Sequence, residues 1–230
     1  MWPGPFGDGG SRKYLVSSCD QSLKRTGLDY FDVFYHHRFD TETPIEESMQ
    51  ALDYIVRSGR ALYVGISNYG PEQTLHAIKV LKDLGTPLLV HQPKYNMFDR
   101  SIEDGLTDVL QSHGIGSIVF SPLAQGLLSD KYISGIPADS RAARKEAIYL
   151  NASDIKSSTI EKIHQLNELA LEREQSLAQM AIAWTLNNQA VTSCLIGASK
   201  VEQIVDSCNA LKNLEFSKAE MDKLNKILAT

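Results

Sequence analysis

The chain has 230 residues, enough to bury a sizeable core, with 43% hydrophobic and 22% charged residues, a composition that excludes a disordered or fibrous protein. Its formal net charge of -5, from 28 acidic against 23 basic residues, gives no electrostatic reason to expect a nucleic acid as partner. No apolar run nears the roughly 18 residues that cross a bilayer, and the opening residues lack the basic and apolar regions of a signal peptide, so a cytoplasmic chain without a membrane partner is expected.

From Ser11 the chain alternates between helix and strand signals. Leu15, Cys19 and Leu23 recur every fourth position ahead of Gly27, which predicts a helix over Ser11–Thr26. Tyr30–His36 is aromatic and β-branched and reads as a strand. Thr43 and Glu46 have capping-box spacing with Pro44 between them, opening a helix whose apolar stripe is Ile45, Met49, Leu52 and Val56. A strand over Leu62–Ile66, a helix from Pro71 to Gly85, a strand over Leu88–Gln92, a helix over Ile102–Ser112 and a strand over Ser117–Ser121 follow. After a long connection, helices are expected over Ser158–Arg173 and Ser176–Asn187, then a strand over Thr192–Ile196. Two helices close the chain, the last opening on a second capping box, Ser217 to Glu220. Strands separated by helices pair in parallel. Their nearly continuous apolar runs suit a sheet covered on both faces or closed as a barrel.

The fold class is therefore α/β, and pattern alone leaves a doubly wound sheet and a TIM barrel open. The strand ends tip the reading. Polar groups follow almost every strand at its C-terminal edge: His36-His37-Arg38, Ser67-Asn68, His91-Gln92, Phe120-Ser121 and Gly197-Ala198-Ser199. That edge holds ligands in parallel α/β folds. No G-x-G-x-x-G follows a strand, which weakens the dinucleotide fingerprint of the doubly wound class, so the barrel is favoured. No linker interrupts the chain, and 1–230 reads as one domain.

Each candidate has an ordinary reading beside its functional one. His36 and His37 alternate to opposite sides of their strand; a neutral imidazole at that edge polarises a carbonyl or relays a proton, while a structural histidine is the commoner fate. Ser67, Asn68 and Gln92 suit an amide ligand but equally suit turn chemistry. Phe120 offers a stacking face or packs in the core. Gly197–Lys200 brings backbone N–H groups and an ammonium to a helix start, which attracts phosphate or simply caps the helix. The connection from Pro122 to Ser157, with Lys131, Arg141 and Arg144, is long enough for a lid and basic enough for phosphates. Cys19, Cys194 and Cys208 have no zinc or disulfide spacing, so buried free thiols and no metal are expected.

Five motifs then resemble the aldo-keto reductases, in the branch of the bacterial glyceraldehyde-3-phosphate reductases and the potassium channel β subunits. They are L-D-Y-F-D-V-F-Y-H-H (Leu28–His37), Y-V-G-I-S-N (Tyr63–Asn68), H-Q-P-K-Y-N (His91–Asn96), S-P-L-A-Q-G (Ser121–Gly126) and L-I-G-A-S-K-V-E-Q (Leu195–Gln203). The resemblance implies a TIM barrel that reduces a small aldehyde or ketone with NADPH. It implies that Ser67, Asn68 and Gln92 hold the nicotinamide carboxamide and that Phe120 stacks on the ring. Ser121, Leu123, Gln125, Gly126, Lys131 and Arg141 would line the pyrophosphate, and Gly197, Ser199, Lys200 and Gln203 the 2′-phosphate. Asp206 and Ser207 stand where relatives often have Glu and Asn at the adenine. His37 matches the histidine that orients the carbonyl. The family's catalytic tyrosine, lysine and aspartate have no match here. Met1-Trp2-Pro3 corresponds to the loop after the third strand, which implies an N-terminally truncated barrel with five of eight strands. The alternatives are a non-catalytic NADPH-binding or regulatory module, or an inactive fragment. A TIM-barrel lyase or isomerase is disfavoured, because no strand end offers an internal lysine or a carboxylate pair. Substrate identity and homo-oligomer formation are left open.

Overall fold

A computed structural model describes residues 7–133, 135 and 155–229, and these divide into two compact units. The first comprises the chain up to Pro93 together with Ile102–Ile118; the second comprises Lys94–Ser101 and the chain from Val119 onward.

In the first unit, α1 (Arg12–Thr26) is bracketed by Ser11, whose Oγ accepts from the Tyr14 N–H, and by Gly27 at φ 70°. It leads into β1 (Phe31–His36), α2 (Ile45–Arg57), β2 (Ala61–Ser67), α3 (Pro71–Leu84), β3 (Leu88–Gln92) and α4 (Leu106–His113). The strand β4 (Gly116–Val119) follows. The strands pair in parallel and in chain order: Phe31 with Ala61 through His36 with Ile66, then Ser67 with Gln92, then His91 with Ser117. That order never reverses, and α1, α2, α3 and α4 touch one another in sequence as a single helical layer. A doubly wound sheet reverses its order and carries helices on both faces. The arrangement is that of an α/β fold consistent with part of a TIM barrel.

Packing between layer and sheet begins with Cys19, Ile55 and Ala61, joined by Val16, Leu23, Phe31 and Phe34. Gly65 lets β1 and β2 carry a large neighbour, since a Cβ there would lie 2.6 Å from the Tyr35 ring. With one helical layer, however, the strands are not sealed on both faces among the described residues: Leu62, Tyr63 and Leu89 are 51%, 51% and 42% exposed. The apolar strand runs suggested fuller cover.

In the second unit, α5 (Ser157–Glu172), α6 (Leu177–Leu186), β5 (Ser193–Cys194), α7 (Val201–Asn209) and α8 (Lys218–Ala229) follow the long connection. The Leu195 N–H donates to Val119 O at 2.8 Å, which fixes the end of β5. Ile163, Leu166, Leu177, Met180 and Trp184 form the core here, and Tyr95 stacks on Trp184 with ring centroids 5.0 Å apart. The buried Arg173 joins the C-terminal elements: it pairs with Glu220 at 2.6 Å, donates to Glu215 O at 3.0 Å and lies 3.7 Å from the Phe216 ring centroid.

Several sequence expectations need correction. Thr43 does not cap α2; its hydroxyl donates to Asp40 Oδ2 at 2.7 Å, and Pro44 occupies the cap position. The helix expected over Ile102–Ser112 is divided, because Gly105 at φ 86° ends a 3-10 turn (Ser101–Glu103) and starts α4. The last strand is two residues long rather than five. Of the three thiols only Cys19 is buried; Cys194 is half-buried and Cys208 exposed.

Candidate functional site

Strand ends supply the first cluster, within the first unit. Ser67 closes β2 and its Oγ donates to Gln92 O at 2.6 Å, tying the ends of β2 and β3. Asn68 follows at φ 56°, a left-handed conformation that asparagine tolerates better than most residues. Its amide donates to His37 O at 2.9 Å and to Ser67 Oγ at 2.9 Å. Both amide protons are thus committed, and the Oδ1 acceptor is what the exposed Asn68 has left to offer. Such an acceptor fits the N–H₂ of a carboxamide. Tyr35 hydrogen-bonds the Gln92 side chain, and its phenol is pushed up by burial. His37 is exposed at the end of β1, and burial of part of its ring together with Arg38 pulls its pKa down. At neutral pH it is a neutral imidazole, able to hydrogen-bond a carbonyl oxygen.

His36, its neighbour, is fully buried, with Nδ1 2.6 Å from the Tyr69 hydroxyl. Burial holds that ring's pKa at about 4. Alternation places the two histidines apart as the sequence suggested. What sequence reasoning missed is Tyr69, which sits in a segment read only as a turn and helix cap. The signal was an aromatic residue in a turn, where a polar one is usual.

The second cluster lies within the second unit, in a cleft of about 810 Å³. Its floor is the turn after β4. Phe120 O accepts from the Tyr95 N–H at 3.3 Å, and Ser121 O accepts from the Asn96 side chain at 3.0 Å and the Ala124 N–H at 3.0 Å. Ser121, Ala124 and Gln125 all have positive φ. With Asn68 they make four of the five non-glycine residues in that region among those described. Such strain persists only where the surroundings over-determine it, and it gathers at functional sites. Ser129 Oγ donates to Gly126 O at 2.6 Å, holding the next turn, which carries Lys131.

Opposite this floor stands the start of α7. Gln203 Oε1 accepts from the Ser199 N–H at 2.8 Å and the Lys200 N–H at 3.3 Å. These two amides are therefore occupied by a side chain of the helix's own first turn, the capping alternative that the sequence left open. Asp206 is engaged too, accepting from Ser176 Oγ at 3.2 Å and Gln179 Nε2 at 2.5 Å.

The cleft brings together Ser121, Leu123, Gln125, Gly126, Lys131, Gly197, Ser199 and Gln203, along with Asp206 and Ser207. Phe120 and Lys200 are not among its lining residues, although Lys200 is exposed beside Ser199. Arg141 lies outside the described residues. Asp130 and Glu202, which sequence reasoning did not single out, also line the cleft. Tyr95 is 2% exposed and bonded to Asn188 at 3.2 Å, so it is core. Both clusters fit a nucleotide cofactor as far as chemistry goes: an amide acceptor in one, and a pocket of ordinary ligand size rimmed by hydroxyls, amides and a lysine in the other. No group of His, Cys, Asp and Glu among the described residues could hold a metal ion, and no helix is long and apolar enough to cross a membrane.

Comparison with known proteins gives a consistent family. The sequence model described as the Aldo/keto reductase family matches residues 1–229. The chain is 50% identical over 232 residues to L-glyceraldehyde 3-phosphate reductase of Escherichia coli (strain K12), covering 100% of this chain and 67% of that protein. It is 39% identical over 230 residues to a probable voltage-gated potassium channel subunit beta of Oryza sativa subsp. japonica, covering 98% of this chain and 70% of that one. A counterpart in Arabidopsis thaliana is 38% identical over 231 residues, with the same coverage.

Proposed function

The chain belongs to the aldo/keto reductase family, and from that premise we propose that it binds NADPH and serves the reduction of small aldehydes or ketones. The observation that carries this reading is Asn68: both of its amide protons are spent within the protein, leaving an acceptor suited to the nicotinamide carboxamide. Ser67 and Gln92 keep that side chain in place, and Phe120 supplies the aromatic face for the ring. Ser121, Leu123, Gln125, Gly126, Lys131 and Arg141 take the pyrophosphate. Gly197, Ser199, Lys200 and Gln203 take the 2′-phosphate, with Lys200 the charge that makes NADPH preferable to NADH. The family match covers residues 1–229, which supports reading the chain as one oxidoreductase domain.

When bound, NADPH supplies a hydride for a carbonyl carbon. His37, neutral at working pH, donates a hydrogen bond to the carbonyl oxygen and orients it. The Escherichia coli relative is named for a small phosphorylated aldehyde, which supports a small aldehyde as the substrate class. A soluble cytoplasmic setting accords with this chemistry.

A second reading, a nucleotide-binding module without turnover, is favoured by one specific point. The tyrosines at the described strand ends are engaged otherwise: Tyr95 is core, and Tyr35 hydrogen-bonds the Gln92 side chain. Calorimetric titration of the chain with NADPH tests the common premise, and saturable binding to a folded sample is expected. Consumption of NADPH on adding glyceraldehyde would then favour the reductase, and binding without consumption the module. A folded chain that does not bind NADPH would overturn both.

A further inference from the structure

We infer that the buried His36–Tyr69 pair is a positioning element that sets where Asn68 and His37 stand, and through them the hold on the nicotinamide end of the cofactor. The inference rests on the NADPH reading above for its consequence, but not for its geometry.

Backbone pairing between β1 and β2 reaches His36 opposite Ile66. Further along, side chains tie the two segments. His36 Nδ1 lies 2.6 Å from Tyr69 Oη, and one residue along on each segment Asn68 Nδ2 donates to His37 O at 2.9 Å. The two contacts join adjacent residues of the same segments, so neither segment end moves without the other. Tyr69 is itself clamped. Its ring meets His36 edge-on at 5.7 Å and Phe39 edge-on at 5.4 Å, and its carbonyl lies 3.2 Å from Nε2 of the buried His91. Beneath His36 the chain comes equally close: a Cβ on Gly10 would lie 3.0 Å from Cε1 of the ring and 2.6 Å from Ser48 Oγ. Gly10 is held there by its N–H to Asp40 Oδ2 at 2.6 Å and its carbonyl to Ser48 Oγ at 2.7 Å.

Two energetic observations say that the pair is kept for geometry. Asn68 sits in a left-handed conformation that costs energy unless the surroundings impose it. His36 Nε2 is buried with no partner among the described residues, an expense that an apolar side chain of similar shape would avoid. Burial also keeps His36 neutral and the Tyr69 phenol protonated, so the bond joins two neutral groups.

The test uses the full chain and Tyr69→Phe, which keeps the ring and deletes the hydroxyl. Three quantities are compared with the unmodified chain: affinity for NADPH, affinity for 2′-phospho-ADP-ribose, which lacks nicotinamide, and the Asn68 side-chain amide resonances without ligand. Tyr69→Phe is expected to weaken NADPH roughly threefold to tenfold, the worth of about one hydrogen bond. The nicotinamide-free analogue should bind unchanged, and the Asn68 amide signals should shift. His36→Asn, which keeps an amide near the Nδ1 position, should retain most of the affinity, whereas His36→Leu should behave like Tyr69→Phe. Equal losses for both ligands, or Asn68 signals that do not move, would overturn the inference. Should the unmodified chain bind neither ligand, the cofactor reading fails, while the Asn68 resonances still decide whether the pair positions that residue.

Discussion

Lys200 stands at the start of α7, where the helix's own dipole presents partial positive charge and disfavours a cation. Beside it Ser199 and Gln203 line the cleft, with Glu202 in the first turn. On the proposed reading, the 2′-phosphate of NADPH is the anion that would offset a cation placed against the dipole. Lys200→Glu is therefore expected to weaken NADPH by about tenfold or more while leaving NADH nearly unchanged, a difference of roughly 1.4 kcal/mol. Parallel titrations with the two cofactors check this, and equal losses would remove Lys200 from the phosphate role. Legibility at this scale followed position along the strands. Ser67, Asn68 and Gln92 were readable as candidates because they follow strands at the C-terminal edge, where parallel α/β folds hold ligands, although turn chemistry suits them equally. Tyr69 was not, because its role depends on a partner 33 positions earlier, and nothing in either segment alone announces the other. Two of the cleft's three carboxylates, Asp130 and Glu202, were equally silent, since an acidic residue in a first helical turn is ordinary.

Helix starts show why the same spacing succeeds in one place and fails in another. Ser217 to Glu220 and Thr43 to Glu46 share the capping-box pattern. At the first, the Ser217 N–H donates to Glu220 Oε2 at 2.6 Å and the Glu220 N–H donates to Ser217 Oγ at 3.3 Å. At the second, Asp40 lies three residues upstream and takes the Thr43 hydroxyl. Asp40 also collects the Gly10 and Glu42 N–H groups, and these bonds hold its carboxyl below the usual range against the opposing effect of burial. A local rule lost to a longer-range acceptor that sequence spacing does not weigh. Conversely, Ser176 and Gln179 have the same spacing and do form the box, opening α6 with bonds of 3.1 and 3.2 Å. It also ties α6 to α7 through Asp206. Ser176→Ala is expected to cost about 1 kcal/mol, the usual worth of such a cap, read as a lower urea midpoint at neutral pH. No shift would mean that Gln179 and Asp206 hold the helix start unaided. Among the described residues the order of helices and strands was legible, because helical apolar stripes at 3.6 spacing alternate with short, nearly continuous apolar strands. Boundaries drifted where glycine at positive φ intervened, as Gly105 does between the 3-10 turn and α4.

Across the whole molecule, the buried histidines couple stability to pH. His36 and His91 are both fully buried, and burial holds each ring's pKa at about 4. In the unfolded chain a histidine titrates near 6.5. Above that value both states carry neutral rings, and the native state has its full stability. As pH falls from about 6.5 toward 4, the unfolded chain takes up protons that the folded chain refuses, and the equilibrium moves toward unfolding. Each ring is worth up to about 3 kcal/mol across that window, against a total of roughly 5–15 kcal/mol for a typical domain. Glu220 acts in the same direction but at lower pH. Ser217 and Arg173 depress its carboxyl, so its contribution is intact above the ordinary carboxylate range and lost as pH falls through the depressed value. The two effects separate along the pH axis. Urea midpoints measured in steps from pH 7.5 to pH 4.5, a range set by the unfolded histidine value of about 6.5 and its acid side, should hold steady at first and then fall. The fall should begin near pH 6.5, well before any carboxylate titrates. A midpoint that stays level down to about pH 5 would mean that water or another proton acceptor reaches the rings of His36 and His91 in solution, and that the packing of Gly10 and Tyr69 around His36 opens to admit it.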